Sequence, residues 1–162
     1  MRRIVFFALA QLIVWPALAG DLERAKQQLA RELSECAAYY YTLATPQEVE
    51  ESSRHRLILA GRRAKALSAS ISSQRQALTE MEGAMDAMLV SMRFDWSRTE
   101  GLRERFERRC DYLIKNPGRR LLTWVDRYTD QTQRASRGGA GTAGVVGNVS
   151  SAVAAAVPLP TD

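Results

Sequence analysis

The sequence predicts an all-α fold: an antiparallel bundle of four to five helices, tied by one interhelical disulfide and followed by a disordered C-terminal tail. Three observations predict it. Apolar residues recur every three or four positions through most of the chain, and no stretch alternates with the two-residue period of a half-buried strand. Clusters of Ser, Thr, Asn, Pro and Gly cut that pattern into helix-length segments. The two cysteines, Cys36 and Cys110, each fall on an apolar stripe, in segments far apart along the chain.

The first nineteen residues, MRRIVFFALAQLIVWPALA, set the context for the rest. Arg2 and Arg3 form a short positive region, Ile4 to Trp15 an apolar run, and Ala17-Leu18-Ala19 a small-residue cleavage site, the pattern of a secretory signal peptide. Pro16 is expected to break the apolar helix just before a cut after Ala19. The run is too short and wrongly flanked for a membrane span. Cleavage would remove Arg2 and Arg3 and no acid, lowering the net charge from +5 to +3, a mildly basic balance. An exported protein rarely meets nucleic acid, so the expected partner is another envelope protein or an anionic envelope component. An even cysteine count in an oxidising compartment favours a Cys36–Cys110 bridge.

From Asp21 to Leu43 the apolar positions Leu22, Ala25, Leu29, Leu33, Cys36, Tyr40 and Leu43 define an amphipathic helix of about six turns. Thr45-Pro46-Gln47-Glu48 reads as a capping box opening a second, antiparallel helix over 46–67, with Val49, Leu57, Ala60, Ala64 and Leu67 inward and a Glu50–Arg54 pair outside. Residues 68–73 are serine-rich, so 46–92 reads either as one long kinked helix or as two. The apolar period resumes at Ile71, Leu78, Met81, Met85, Met88, Leu89 and Met92. Ser97-Arg98-Thr99-Glu100 offers another capping box for a helix over 98–115 that buries Leu102, Phe106, Cys110, Leu113 and Ile114. Asn116-Pro117-Gly118 marks a turn, and a last helix over 119–129 presents Leu121, Leu122, Trp124, Val125 and Tyr128. From Ala135 the composition turns to Gly, Ala, Ser and Val with no charge between Arg137 and Asp162, which reads as a flexible tail over 135–162 beyond a helical domain over 20–134.

Few constellations could carry chemistry. Met81, Met85, Met88 and Met92 share one helix face, and thioethers there could bind Cu(I), but a methionine stripe at helical spacing more commonly fills a core. No cofactor is expected. His55 stands alone between arginines, with Ser52 and Ser53 as the nearest hydroxyls, and no nucleophile elbow accompanies it. The carboxylates sit in capping and ion-pair spacings, so no acid pair stands out. Arg103, Arg105, Arg108, Arg109, Arg119 and Arg120 concentrate positive charge around one region, diluted by Glu104 and Glu107. Within Tyr39-Tyr40-Tyr41 the arc is too wide for every ring to be buried. Partner contact is therefore assigned to Tyr39, Tyr41, Arg103, Arg105, Arg109 and Arg120.

Glu35-Cys36-Ala37-Ala38-Tyr39-Tyr40, a later Cys110, and Asn116-Pro117 followed by Arg120 and Trp124 resemble the small exported two-cysteine helical proteins of Proteobacteria and their phages. The resemblance implies a periplasmic setting and carries no catalytic residue. The expected function is that of an exported, non-enzymatic helical binding protein. An immunity or inhibitor protein acting against an envelope toxin or hydrolase is one alternative, and a methionine-rich Cu(I)-binding bundle is another.

Overall fold

The computed structural model describes residues 5–139, with side chains from 19 to 137. Five helices form: α1 (Val5–Ala44), α2 (Glu51–Ile71), α3 (Gln74–Ser91), α4 (Thr99–Lys115) and α5 (Pro117–Gly139), with a single 3₁₀ turn (Trp96–Arg98) leading into α4. No strand occurs among the described residues. The expected tail beyond residue 139 lies outside them.

Between Asp21 and Ala44 the chain has neither Gly nor Pro and is rich in Ala, Leu, Glu, Gln and Arg, the strongest helix formers. That stretch is the axis of the bundle, and the other helices wrap it. Side-chain pairs fix the directions. Arg54 meets Ala44, Gly61 meets Tyr41 and Ser68 meets Ala30, so α2 runs antiparallel to α1. Phe106 packs on Tyr39 and Arg109 reaches Glu35, so α4 also descends along the upper half of α1. After a bend at Asn116, α5 continues downward along the lower half: Arg120 meets Glu32 and Thr132 meets Asp21. Being surrounded explains why Leu29, Leu33, Cys36, Ala37, Tyr39, Tyr40 and Leu43 are buried on several sides of one helix, well beyond a single stripe.

The core runs along this axis, from Leu29 and Ala64 through Met81, Met88 and Tyr39 to Leu102, Phe106 and Leu113. Close approach depends on small residues. A Cβ at Gly61 would lie 3.2 Å from the Tyr41 ring, so a side chain there would push α2 off α1. Where α1, α2 and α3 meet, Ser68 Oγ donates to Ala30 O at 2.8 Å and lies 2.9 Å from Ser34 Oγ, which also reaches Ala77 O. Both serines are buried, and pairing avoids the cost of about 1–3 kcal/mol of an unsatisfied group. The Cys36–Cys110 disulfide forms, with 5.3 Å between the Cα atoms, and joins α1 to α4 inside this core.

Several boundaries differ from the sequence reading. α1 runs through Pro16 instead of ending there: proline forfeits one backbone donor, which a long helix tolerates at the cost of one bond and a kink. α2 starts at Glu51, five residues after Pro46. Thr45 does not cap it, because its hydroxyl donates back to Tyr41 O. The Arg54 guanidinium gathers the carbonyls of Ala44, Pro46 and Gln47, so the expected Glu50–Arg54 pair is absent and residues 45–50 form a loop. Glu50 accepts instead from Ser52 and Ser53.

The serine-rich segment resolves into a break at Ser72 and Ser73, so 46–92 holds two helices; Ser73 Oγ caps α3 by accepting from Gln76 N at 3.1 Å. Before α4, the capping residue is Asp95, which accepts from Ser97 N and Oγ, rather than Ser97 itself. Those bonds hold the Asp95 carboxyl below its ordinary range. Gly118 needs no positive φ, since α5 already begins at Pro117, and α5 continues to Gly139, past the expected start of the tail. Leu22, Leu78 and Leu122, assigned to the apolar face, are exposed; Leu122 stands two residues from both Arg120 and Trp124, on the side of α5 away from α1.

Candidate functional site

Of the residues assigned to partner contact, Tyr39 belongs to the interior, Tyr41, Arg103, Arg109 and Arg120 are partly buried, and Arg105 is exposed. Tyr39 is 1 % exposed; its ring stacks on Phe106 at 5.7 Å and lies 5.0 Å from that of Tyr40. Burial pushes its phenol up to about 12. Tyr40 donates to Asp111 Oδ1 at 2.6 Å, and burial together with that carboxylate raises its pKa further. Tyr41 is half-buried against Gly61. The sequence reading missed that α1 is enclosed by α2, α3, α4 and α5, which leaves no outward side for Tyr39.

Arg120 forms a two-pronged pair with Glu32, at 2.8 and 2.5 Å, while its guanidinium lies 4.9 Å over the Trp124 ring. Trp124 Nε1 adds a third bond to the same carboxylate at 3.1 Å. Glu32 is buried, which alone would raise its pKa; the Arg120 and Trp124 hydrogen bonds outweigh burial and hold it below the ordinary carboxylate value. The hydrogen bond to Glu32 in turn raises the pKa of Arg120. A second polar lock sits further down, where the buried Asp21 carboxylate accepts from Arg24 and from Thr132 Oγ1. Arg24 also lies over the Tyr128 ring. These groups fasten α5 to α1.

The methionines are packing atoms. Met81, Met88 and Met92 are buried in the core cluster, with Met85 packed against it, so their sulfurs face aromatic and aliphatic neighbours. No group of three or more His, Cys, Asp or Glu side chains suited to a metal ion occurs among the described residues. His55 is exposed, and the neighbouring Ser52 and Ser53 hydroxyls bind Glu50.

An open groove with an apolar floor lies between α3 and α4. One hollow of about 360 Å³ lies over Ala84, Ala87 and Met88 of α3 and Phe106 of α4, bordered by Arg105, Arg109 and Glu35. An adjoining hollow of about 320 Å³ continues it past Ser91 and Gly101 to Arg98. Ser91 and Arg105 border both, so the two form one channel. Arg109 reaches Glu35 at 2.6 Å through one nitrogen, and its buried Nε has no partner. Arg105 has no carboxylate partner among the described residues, and its guanidinium lies 5.8 Å from the Phe106 ring centroid. Arg103, also assigned to contact, sits outside the channel, 4.0 Å from Glu100.

The channel ends at a turn with exposed apolar side chains. Phe94 is 68 % and Val90 63 % exposed, with Trp96 beside them in sequence. The turn is a Schellman cap: Arg93 N donates to Val90 O and Phe94 N to Leu89 O, both at 2.9 Å. That geometry places Arg93 at φ 55°, the left-handed region glycine usually fills, and Phe94 follows it there at φ 56°. The hydrophobic residue that follows such a cap commonly folds back on the helix, and Phe94 instead stands in solvent. The sequence signal for this turn was Val90, an apolar residue off the methionine stripe, followed by two aromatics within six positions.

No protein family, characterised protein or solved structure matches the chain. Its function has to be argued from the channel and the turn.

Proposed function

We propose that the protein is an exported, non-enzymatic binding protein of the bacterial envelope. The observation that carries this reading is the exposed pair Phe94 and Trp96 in the connection between α3 and α4, flanked by Met92 and Arg98 at the end of the groove. Large apolar side chains held in water by a fixed backbone cap, next to an open groove, are the features of a contact surface. The groups best suited to acid–base or nucleophilic chemistry are committed elsewhere: Glu32 to Arg120 and Trp124, Asp111 to Tyr40, and the Ser52 and Ser53 hydroxyls to Glu50. Export is supported by the basic, apolar and small-residue order of the first nineteen residues. The buried disulfide suits an oxidising compartment.

The test is photo-crosslinking from position 94 in envelope extracts, with a helical bundle of unrelated sequence as control. The expected result is enrichment of a protein, lipid or glycan over that control. Enrichment of nothing over the control overturns the reading.

A further inference from the structure

We infer that the α3–α4 groove takes an acidic amphipathic helix of a partner protein, laid along the channel with its apolar face down. The inference rests on the binding-protein reading above and names the partner's chemistry. Three features of the channel carry it.

The first is shape. From Arg98 to Arg109 the channel follows α4 for roughly 16 Å, about three turns of helix. Its floor pairs small residues that let a backbone approach, Ala84, Ala87 and Gly101, with Met88 and Phe106 for apolar contact. Helix-in-groove recognition uses apolar anchors repeating at three and four residues, which such a floor accepts.

The second is charge. Arg98, Arg105 and Arg109 follow one another at seven and four residues, so they share the groove side of α4. Glu35 is the one carboxylate bordering the channel, and Arg109 neutralises it. Arg98 is held only by the exposed Asp95 at 3.3 Å, a pairing of the kind worth little in water. Arg105 is unpaired among the described residues, and Arg109 keeps an unused buried Nε. Arginines spread along the whole channel match carboxylates spread along a peptide. A single-headed anionic lipid would need its positive charge at one end.

The third is the mouth. Phe94 and Trp96 are exposed in the connection between Met92 and Arg98, which border the channel's end, where they would extend the apolar contact past the channel. Aromatic anchors beside arginines, with the other residues supplying complementarity, are the composition of interface hot spots.

The experiment uses the full chain and a synthetic helix-stapled peptide of four turns with leucine at i, i+3 and i+7 and glutamate at flanking positions. A lysine-for-glutamate counterpart and vesicles of phosphatidylglycerol serve as the other arms. Binding is followed by calorimetry and by amide NMR shifts at Ala84, Ala87, Ser91 and Gly101. The acidic peptide is expected to saturate in the micromolar range, to shift those four amides, and to bind about tenfold or more tightly than its lysine counterpart.

Ala87→Trp, which fills the channel, and Arg105→Glu, which reverses its free charge, should each weaken binding by about tenfold, whereas Arg108→Glu on the outer side of α4 should not. Thermal melts check that each variant is folded. The inference is overturned by no saturation at millimolar peptide, by shifts mapping elsewhere, by equal binding to all variants, or by vesicles perturbing the four amides when the peptide does not. If position 94 still crosslinks an envelope component under any of those outcomes, the binding-protein reading stands and only the groove assignment fails.

Discussion

Glu32 shows how one side chain can decide the attachment of a whole helix. Its carboxylate is buried on α1 and receives three hydrogen bonds, all from α5. Glu32→Gln keeps the shape but leaves Arg120 without its counter-charge, and should destabilise the fold by about 2–3 kcal/mol, less than a fully buried pair because Arg120 remains partly exposed. Chemical denaturation reads this as a lower midpoint. The same group sets an acid limb. Its folded pKa lies below the unfolded value near 4.5, so its contribution is complete above that pH and is lost as pH falls through the folded pKa. Melting temperatures should therefore drop below about pH 4.5, and the drop should be shallower in Glu32→Gln. At the alkaline end the sign reverses in pH: Tyr39 and Tyr40 are held protonated, so stability is complete below the unfolded phenol value of 10 and declines above it. A Tyr40→Phe variant should melt lower at neutral pH, having lost the Asp111 bond, and should lose less on going from pH 9 to pH 11, values bracketing the free phenol at about 10.

The helices themselves were largely legible in the sequence, and their ends were not. Periodicity located the helical segments but left 46–92 open between one helix and two; it worked best for α4, which buries the five residues expected of it, Leu102 to Ile114. Ends depend on which neighbour takes an unpaired backbone group. Thr45 looked like a cap, but Arg54 eight residues beyond Pro46 gathers the loop carbonyls and delays α2. Asp95 caps the turn that Ser97 seemed to open. The candidate site was hidden for a related reason: a groove is a property of two helices together, and Ala84, Ala87 and Gly101 carry no pattern of their own. Two variants test this account of helix ends. Ser73→Ala removes the α3 cap and should cost about 1 kcal/mol. Arg93→Gly should stabilise by about 0.5–1 kcal/mol, since glycine relieves the left-handed strain while the Schellman bonds remain. Unchanged or lower stability in Arg93→Gly would mean that the arginine side chain contributes more than its backbone strain removes.

At the scale of the molecule, α1 is an axle on which the other helices are mounted by different means. α2 and α3 meet it through small residues and the Ser34–Ser68 contact, α4 through the disulfide and the Phe106–Tyr39 stack, and α5 through the Glu32 and Asp21 locks. Sequence reasoning reached the bridge by counting two cysteines behind a stretch with the pattern of a signal peptide. It could not reach the enclosure of α1, which turned Tyr39 from a surface candidate into a core residue and Arg120 into the partner of a buried carboxylate. The mounting has a consequence for reduction. The bridge closes 74 residues, and in the chain-entropy model its loss should cost about 4 kcal/mol by freeing the unfolded chain, while in the folded state it removes the covalent tie between α1 and α4. Because α5 is covalently continuous with α4 yet docks through its own polar locks, a Cys36→Ser, Cys110→Ser variant should loosen the two helices unequally. Amide exchange should accelerate most in 99–115, while protection around Arg120 and Trp124 persists as long as Glu32 is ionised. Combining that variant with Glu32→Gln should then release α5 as well, and the pair should cost more than the sum of the single changes, because each lock limits the fraying that the other's loss permits. Simple additivity in denaturation midpoints would show that α4 and α5 are held to α1 independently.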